Sequence, residues 1–441
     1  MWKNTTAAGI ALATLAIAAQ AGGDVSRVSE IGVRHRTNAN VSLAASGAFA
    51  VLAWGASDAD GVTDVYAAIS ADGGRTFGSP VRVNDVAGEA RLSGEQPARV
   101  ALVPRPGRTP SIVVVWTAKG ARGTRLLSSR SNDGGKTFAA AVPLPGSDAS
   151  GNRGWESIAV DRDGRVAAVW LDHRETASAA SGGEMNHAGH QHAASGEQRA
   201  DGVARAQLSK LFFGRLDDAA SARAVTGGVC YCCKTSVAAG RDGSVYAAWR
   251  HVYPGNVRDI AFTMSRDGGR TFASPLRVSD DNWVLDGCPE NGPSLTVDDA
   301  GGIHVVWPTL VPGRKADDEP ALALFYAMSS DGRRFTPRQP LPTDGFARHP
   351  QLARGASGDL LVVWDEQAGG VRRIAMARGT ADSKGVVRFA RQNAGDAAPA
   401  AYPVVASAEE GTIVAWISGS SGDTVIHAER VTSSAPASPR P

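Results

Sequence analysis

Three thiols stand within four residues in Gly228-Val-Cys-Tyr-Cys-Cys-Lys234, and the fourth cysteine of the chain, Cys288, stands in Asp286-Gly-Cys-Pro-Glu-Asn291. Thiolates bind soft ions and exchange disulfides, so this density predicts either a metal site or bridges. A second donor-rich stretch, Gly183-Glu-Met-Asn-His-Ala-Gly-His-Gln-His192, carries Met185, His187, His190 and His192 among small residues that cannot pack a core. Thioether and imidazole suit copper, and imidazole also suits zinc or nickel. His173 and His251, each just beyond a Trp, complete the candidate ligands with Cys230, Cys232, Cys233 and Cys288. Copper is the first expectation for the ion and zinc the alternative. The competing expectation is disulfides, with Cys288 joined to Cys230, Cys232 or Cys233, or a vicinal Cys232–Cys233 bridge.

Two repeats set out the elements that must position these residues. An apolar strand ends in Trp seven times, at Trp54, Trp116, Trp170, Trp249, Trp307, Trp364 and Trp416. The spacings are 62, 54, 79, 58, 57 and 52 residues, close to the roughly 50 residues that four short strands and their turns occupy. The octapeptides Ser70-Ala-Asp-Gly-Gly-Arg-Thr-Phe77, Ser131-Asn-Asp-Gly-Gly-Lys-Thr-Phe138 and Ser265-Arg-Asp-Gly-Gly-Arg-Thr-Phe272 form the second repeat, with a shortened copy, Ser329-Ser-Asp-Gly-Arg-Arg-Phe335. Asp followed by glycines is turn chemistry, and each copy predicts the turn between the third and outermost strands of a unit. In the fourth unit the strands are expected at 234–239, 244–249, 259–265 and 271–278, from innermost a to outermost d. The seventh unit lacks its outer strand. Val25-Ser-Arg-Val-Ser-Glu-Ile31 resembles the outer strands Pro80–Asn84 and Pro275–Ser279, which predicts that the N-terminal strand closes the last unit and removes an open edge.

The octapeptides match the Asp-box, or BNR, motif, and by them the chain resembles the sialidase-like β-propellers. The fold expected is all-β, a propeller of seven four-stranded blades, with six as the alternative. The d–a and b–c connections then share one face, and the Asp-boxes lie on the other. All four cysteines, His173, His251 and an insert of roughly 22 residues in the third unit fall on the first face. The resemblance further implies an exo-sialidase or related glycoside hydrolase. Its three-arginine clamp for a substrate carboxylate would map to Arg174, Arg250 and Arg348, and its Tyr nucleophile to Tyr231, Tyr253 or Tyr402, with Glu156 or Glu290 to activate it. The Arg-Ile-Pro signature of sialidases is absent, since Gly32-Val-Arg-His-Arg36 lacks the Pro. The segments around Cys230, Trp249 and Cys288 are similar to those in a group of exported sialidase-like proteins of unassigned activity.

Lys3, the apolar run Ala7–Ala19 and Ala19-Gln20-Ala21 read as a signal peptide over 1–21, which predicts a periplasmic or secreted protein. A single propeller domain is expected over 22–432, with the His/Met-rich insert at 176–200 and a Ser/Ala/Pro-rich tail at 433–441. With 46 Lys+Arg against 44 Asp+Glu, bulk charge predicts neither nucleic-acid binding nor membrane association. The sequence therefore predicts a monomeric binding or accessory protein handling a soft metal. Its partners would be a metal ion, or a sialoside or other glycan, with a periplasmic protein as a further possibility. A glycoside hydrolase using the same face is the alternative. An interaction platform with purely structural cysteines is the third reading.

Overall fold

The computed structural model describes residues 28–179, 196–312, 319–392, 398–409, 411–420 and 422–431. The signal-peptide segment, Met185, His187, His190, His192 and the C-terminal tail lie outside the described residues.

The chain is a β-propeller of seven antiparallel four-stranded sheets. Blades 1 to 6 take their strands in chain order. The seventh joins Ala400–Ala408, Gly411–Ser420 and Asp423–Val431 to Ser29–Ile31 from the other terminus. Ser29 faces Ala428 and Ile31 faces Ile426 across that seam. The second strand of each blade is nearly all apolar because both of its faces pack against neighbouring blades. Its Trp is fully buried in all seven blades. The core is consequently a set of layers between blades. Val51, Val65, Ile112 and Trp116 fill the gap between blades 1 and 2, and Val169, Phe213, Val237 and Trp249 fill that between blades 3 and 4.

Each full octapeptide folds into the same turn. Ser70 Oγ donates to Asp72 Oδ1 at 2.7 Å, and Asp72 accepts from the backbone N–H and hydroxyl of Thr76 at 2.9 and 2.6 Å. Gly73 and Gly74, at φ 72° and 83°, supply a left-handed pair that a side chain would strain. The Asp is thus occupied by its own turn. The outer strands differ from expectation. In the blades that carry these turns they shrink to two residues, as at Leu276–Arg277 against the predicted 271–278. Blades 3 and 6, which lack the turn, have outer strands of nine and six residues. The octapeptide loops the chain out of the ladder, and pairing resumes only beside the middle of the third strand.

In blade 3 the connection between Val166–Asp172 and Lys210–Arg215 carries two helices, α1 (Arg174–Ala179) and α2 (Gly196–Leu208). They flank the predicted insert and bring α2 over the cysteine-bearing loop.

Candidate functional site

The loop entering blade 4 is held as an irregular extension of its sheet. Cys230 N–H donates to Arg250 O at 2.9 Å, and Val252 N–H donates to Gly228 O at 2.8 Å. Gly228 has φ 73°, and a Cβ there would meet the His251 ring at 2.6 Å. Beyond the cysteines, Lys234 N–H donates to Glu95 Oε2 at 3.0 Å and Thr235 N–H to Trp155 O at 3.1 Å. These ties turn three successive thiols toward one point.

The Sγ atoms of Cys230, Cys232 and Cys233 form a triangle with edges of 3.7, 3.8 and 3.9 Å. Among the described residues this is the one group of three or more His, Cys, Asp or Glu whose ligand atoms crowd together in this way. Cys232 is also bridged to Cys288, their Cα atoms 6.2 Å apart, while Cys230 and Cys233 are buried free thiols. The pairing is one of those left open by the sequence. Ala206 and Val203 of α2 pack over the cluster with Val252 and Trp155.

A buried cation sits against the sulfurs. Arg258 Nη1 donates to Cys230 Sγ at 3.0 Å, Nε to Leu285 O at 2.9 Å and Nη2 to Asn256 Oδ1 at 3.2 Å. A hydrogen bond from Cys233 and the charges of Arg258 and Arg250 hold the Cys230 thiol below its ordinary range, whereas burial pushes Cys233 up. Lys234 lies on the other side of the cluster, its Nζ donating to Pro350 O at 2.8 Å, and burial draws its ammonium down to about 8.

The remaining predicted residues scatter. His251 lies outside the sulfur triangle. Its Nδ1 accepts from the Trp249 indole at 3.3 Å, its ring packs on Tyr253, and burial lowers it to about 4. His173 Nδ1 pairs with Ser209 Oγ at 2.8 Å and stands edge-on to Trp155. The arginine clamp does not assemble. Arg250 is fully buried and gives its N–H groups to the carbonyls of Asn291, Arg258 and Pro308. Arg174 grips Asp172 through Nε and Nη2, and Arg348 is exposed. Glu156 faces the gap between blades 2 and 3, where Thr117 Oγ1 donates to it at 3.0 Å and burial raises its carboxyl to about 7. Glu156 is fully buried, whereas Tyr231 lines an open cavity. That cavity, of 610 Å³, spans blades 2 to 4 and is lined among others by Trp155, His173, Tyr231, Arg91, Lys119 and Arg205.

Sequence reasoning missed Arg258, Glu95 and Lys234 at the cluster. Arg258 adjoins Asp259 in a charged step before a strand, and nothing local marks it as a thiolate partner. Glu95 reaches its partners from blade 2, 139 and 197 positions away. A second polar group was also missed as a unit. His349 Nδ1 pairs with Asp365 at 2.7 Å, Arg372 Nε donates to the same carboxylate at 2.7 Å, and Tyr402 stacks on His349 at 4.2 Å. His349 and Tyr402 sit at bulges of innermost strands with φ 51° and 50°, a conformation that costs free energy and gathers at functional sites.

No protein-family profile matches the chain, and no curated protein does. Solved structures do. The GH93 α-L-arabinofuranosidase of Fusarium graminearum, in complex with arabinobiose, is 11% identical over 92% of this chain and 98% of its own, with a TM-score of 0.52. A PL25 ulvan lyase is 9% identical over 92% of this chain and 96% of its own, also at 0.52. The NanB sialidase of Streptococcus pneumoniae is 10% identical over 91% of this chain and 70% of its own, at 0.43. At these identities the likeness is one of fold alone, a β-propeller.

Proposed function

We propose that this is an exported accessory protein that binds a soft metal ion, copper(I) before zinc, on Cys230, Cys232 and Cys233 once the Cys232–Cys288 bridge is reduced. The observation that carries this reading is the sulfur triangle, with edges of 3.7 to 3.9 Å. An ion with metal–sulfur bonds of about 2.3 Å sets its thiolates about 3.8 Å apart in a tetrahedral shell and about 4.0 Å apart in a trigonal one. Among the described residues no nitrogen or carboxylate crowds the three sulfurs, and an all-thiolate set suits the soft copper(I) ion, while Cys288, freed by the same reduction, would supply the fourth ligand that zinc takes. Arg258 offsets part of the negative charge that three thiolates would bring together. Met185, His187, His190 and His192 are further donors in the sequence that could take part in handling the same ion.

The test is copper(I) titration against a competing chelator, using untagged protein. Reduced protein should take up one tight ion at the sulfurs, and Cys230→Ser/Cys233→Ser should lose it. Equal affinity in that double variant would remove the proposal.

The cavity favours a second reading, an acidic glycan ligand. Trp155 and Tyr231 offer stacking surfaces, and Arg91, Lys119 and Arg205 bring positive charge. Release of a fluorophore from a sialoside, lost in Trp155→Ala, would favour it, and inactivity across acidic glycosides would count against it.

A further inference from the structure

We infer that the four cysteines form an internal disulfide relay that moves a bridge between the loop at Cys288 and the buried Cys230-Tyr-Cys-Cys233 turn. The inference shares its residues with the metal reading but needs no metal.

Thiol–disulfide exchange requires a thiolate in contact with one sulfur of a disulfide and a leaving thiol that can depart. Cys230 Sγ lies 3.7 Å from Cys232 Sγ, which is bonded to Cys288. Attack of the Cys230 thiolate on Cys232 forms a Cys230–Cys232 bond and breaks Cys232–Cys288. The electron pair leaves on Cys288, which takes up the proton that Cys230 gave away. Cys233 Sγ lies 3.8 Å from Cys230 Sγ. Its attack on Cys230 forms Cys230–Cys233 and releases Cys232, which takes the proton lost by Cys233. Two electrons pass from the Cys230/Cys233 dithiol to the Cys232–Cys288 disulfide, with no external oxidant or reductant.

Burial gives the relay a direction of access. Cys230, Cys232 and Cys233 are 1%, 7% and 1% exposed, and α2 covers them. Cys288 is half-buried, the outermost of the four. External thiols and disulfides therefore meet the cluster through Cys288, and the exchange carries their redox state to Cys230 and Cys233. In the relayed state two of the three metal-ligating thiols are locked in a bridge, so the relay also disables the metal site.

The experiment uses the full mature chain, stripped of metal by chelation and equilibrated in glutathione buffers of graded redox ratio. Acid quenching, denaturation, alkylation and peptide mapping then locate the bridges. Wild type should contain both the Cys232–Cys288 and the Cys230–Cys233 peptides. Cys230→Ser should lose the second entirely and retain the first. Cys233→Ser, shown by circular dichroism to keep the wild-type fold, should stop at Cys230–Cys232 with Cys288 alkylated. Wild type in which Cys230 and Cys233 are alkylated at every redox ratio, with Cys232–Cys288 simply present or reduced, would overturn the relay. Because no metal is used, bridge migration in a protein that fails the copper titration would sink the metal reading alone.

Discussion

Replacing Arg258 by Met keeps an apolar stem in place and removes the N–H that meets Cys230 Sγ at 3.0 Å. The thiolate then loses a hydrogen bond and a buried counter-charge, both of which hold its pKa down. Ultraviolet thiolate absorbance should show its titration step displaced to higher pH by a unit or more, and an unmoved step would show that Arg258 does not tune the cluster. Glu156 makes the opposite kind of prediction. Its carboxyl is raised from 4.5 to about 7 by burial, so the folded state holds a proton that the unfolded state releases. The associated stability is fully present below pH 4.5 and is lost as pH rises toward 7, by about 3 kcal/mol. Glu156→Gln should remove that decline, as read from urea unfolding between pH 5 and 8. Superposed profiles for the two proteins would contradict it. Neither behaviour was legible locally. Cys230, Cys232 and Cys233 announce themselves by density, but their counter-ion Arg258 and the neighbouring carboxylate Glu95 arrive from other strands and blades. Glu156 follows Trp155, which lines the cavity, but within the bulge between Gly154 and Ser157 its carboxylate meets Thr117 instead.

At the scale of elements, the Trp-ended strands and octapeptide turns were readable because short apolar runs bounded by turn residues are local properties. The outer strands were not. Their lengths depend on how far each turn carries the chain from its partner, which is a three-dimensional quantity. Helix α2 was hidden for a similar reason, since it follows a stretch read only as an insert. The seam of blade 7 is the element most open to test. Ile31 is 6% exposed and packs with Val404, Ala415 and Ile426. A chain beginning at Gly32 would leave Asp423–Val431 as a bare edge. It should melt at lower temperature and self-associate in sedimentation, whereas an unchanged melting point and a monomer would show that the seam carries little.

The whole molecule is a ring whose core lies between blades, leaving the d–a and b–c connections free to carry chemistry. On that face the cavity spans blades 2 to 4 and shares Tyr231 with the cysteine-bearing loop, while the His349–Tyr402 group lies on blades 6 and 7. The sulfur cluster is the most specific of them, because few other arrangements of protein groups demand three converging thiols. X-ray absorption at the copper edge, on reduced protein lacking residues 183–192 and loaded with copper(I), reads the ligands directly. A shell of three sulfurs at about 2.3 Å is expected, abolished in Cys230→Ser/Cys233→Ser. A shell of nitrogen and oxygen alone, or one unchanged in that variant, would contradict it.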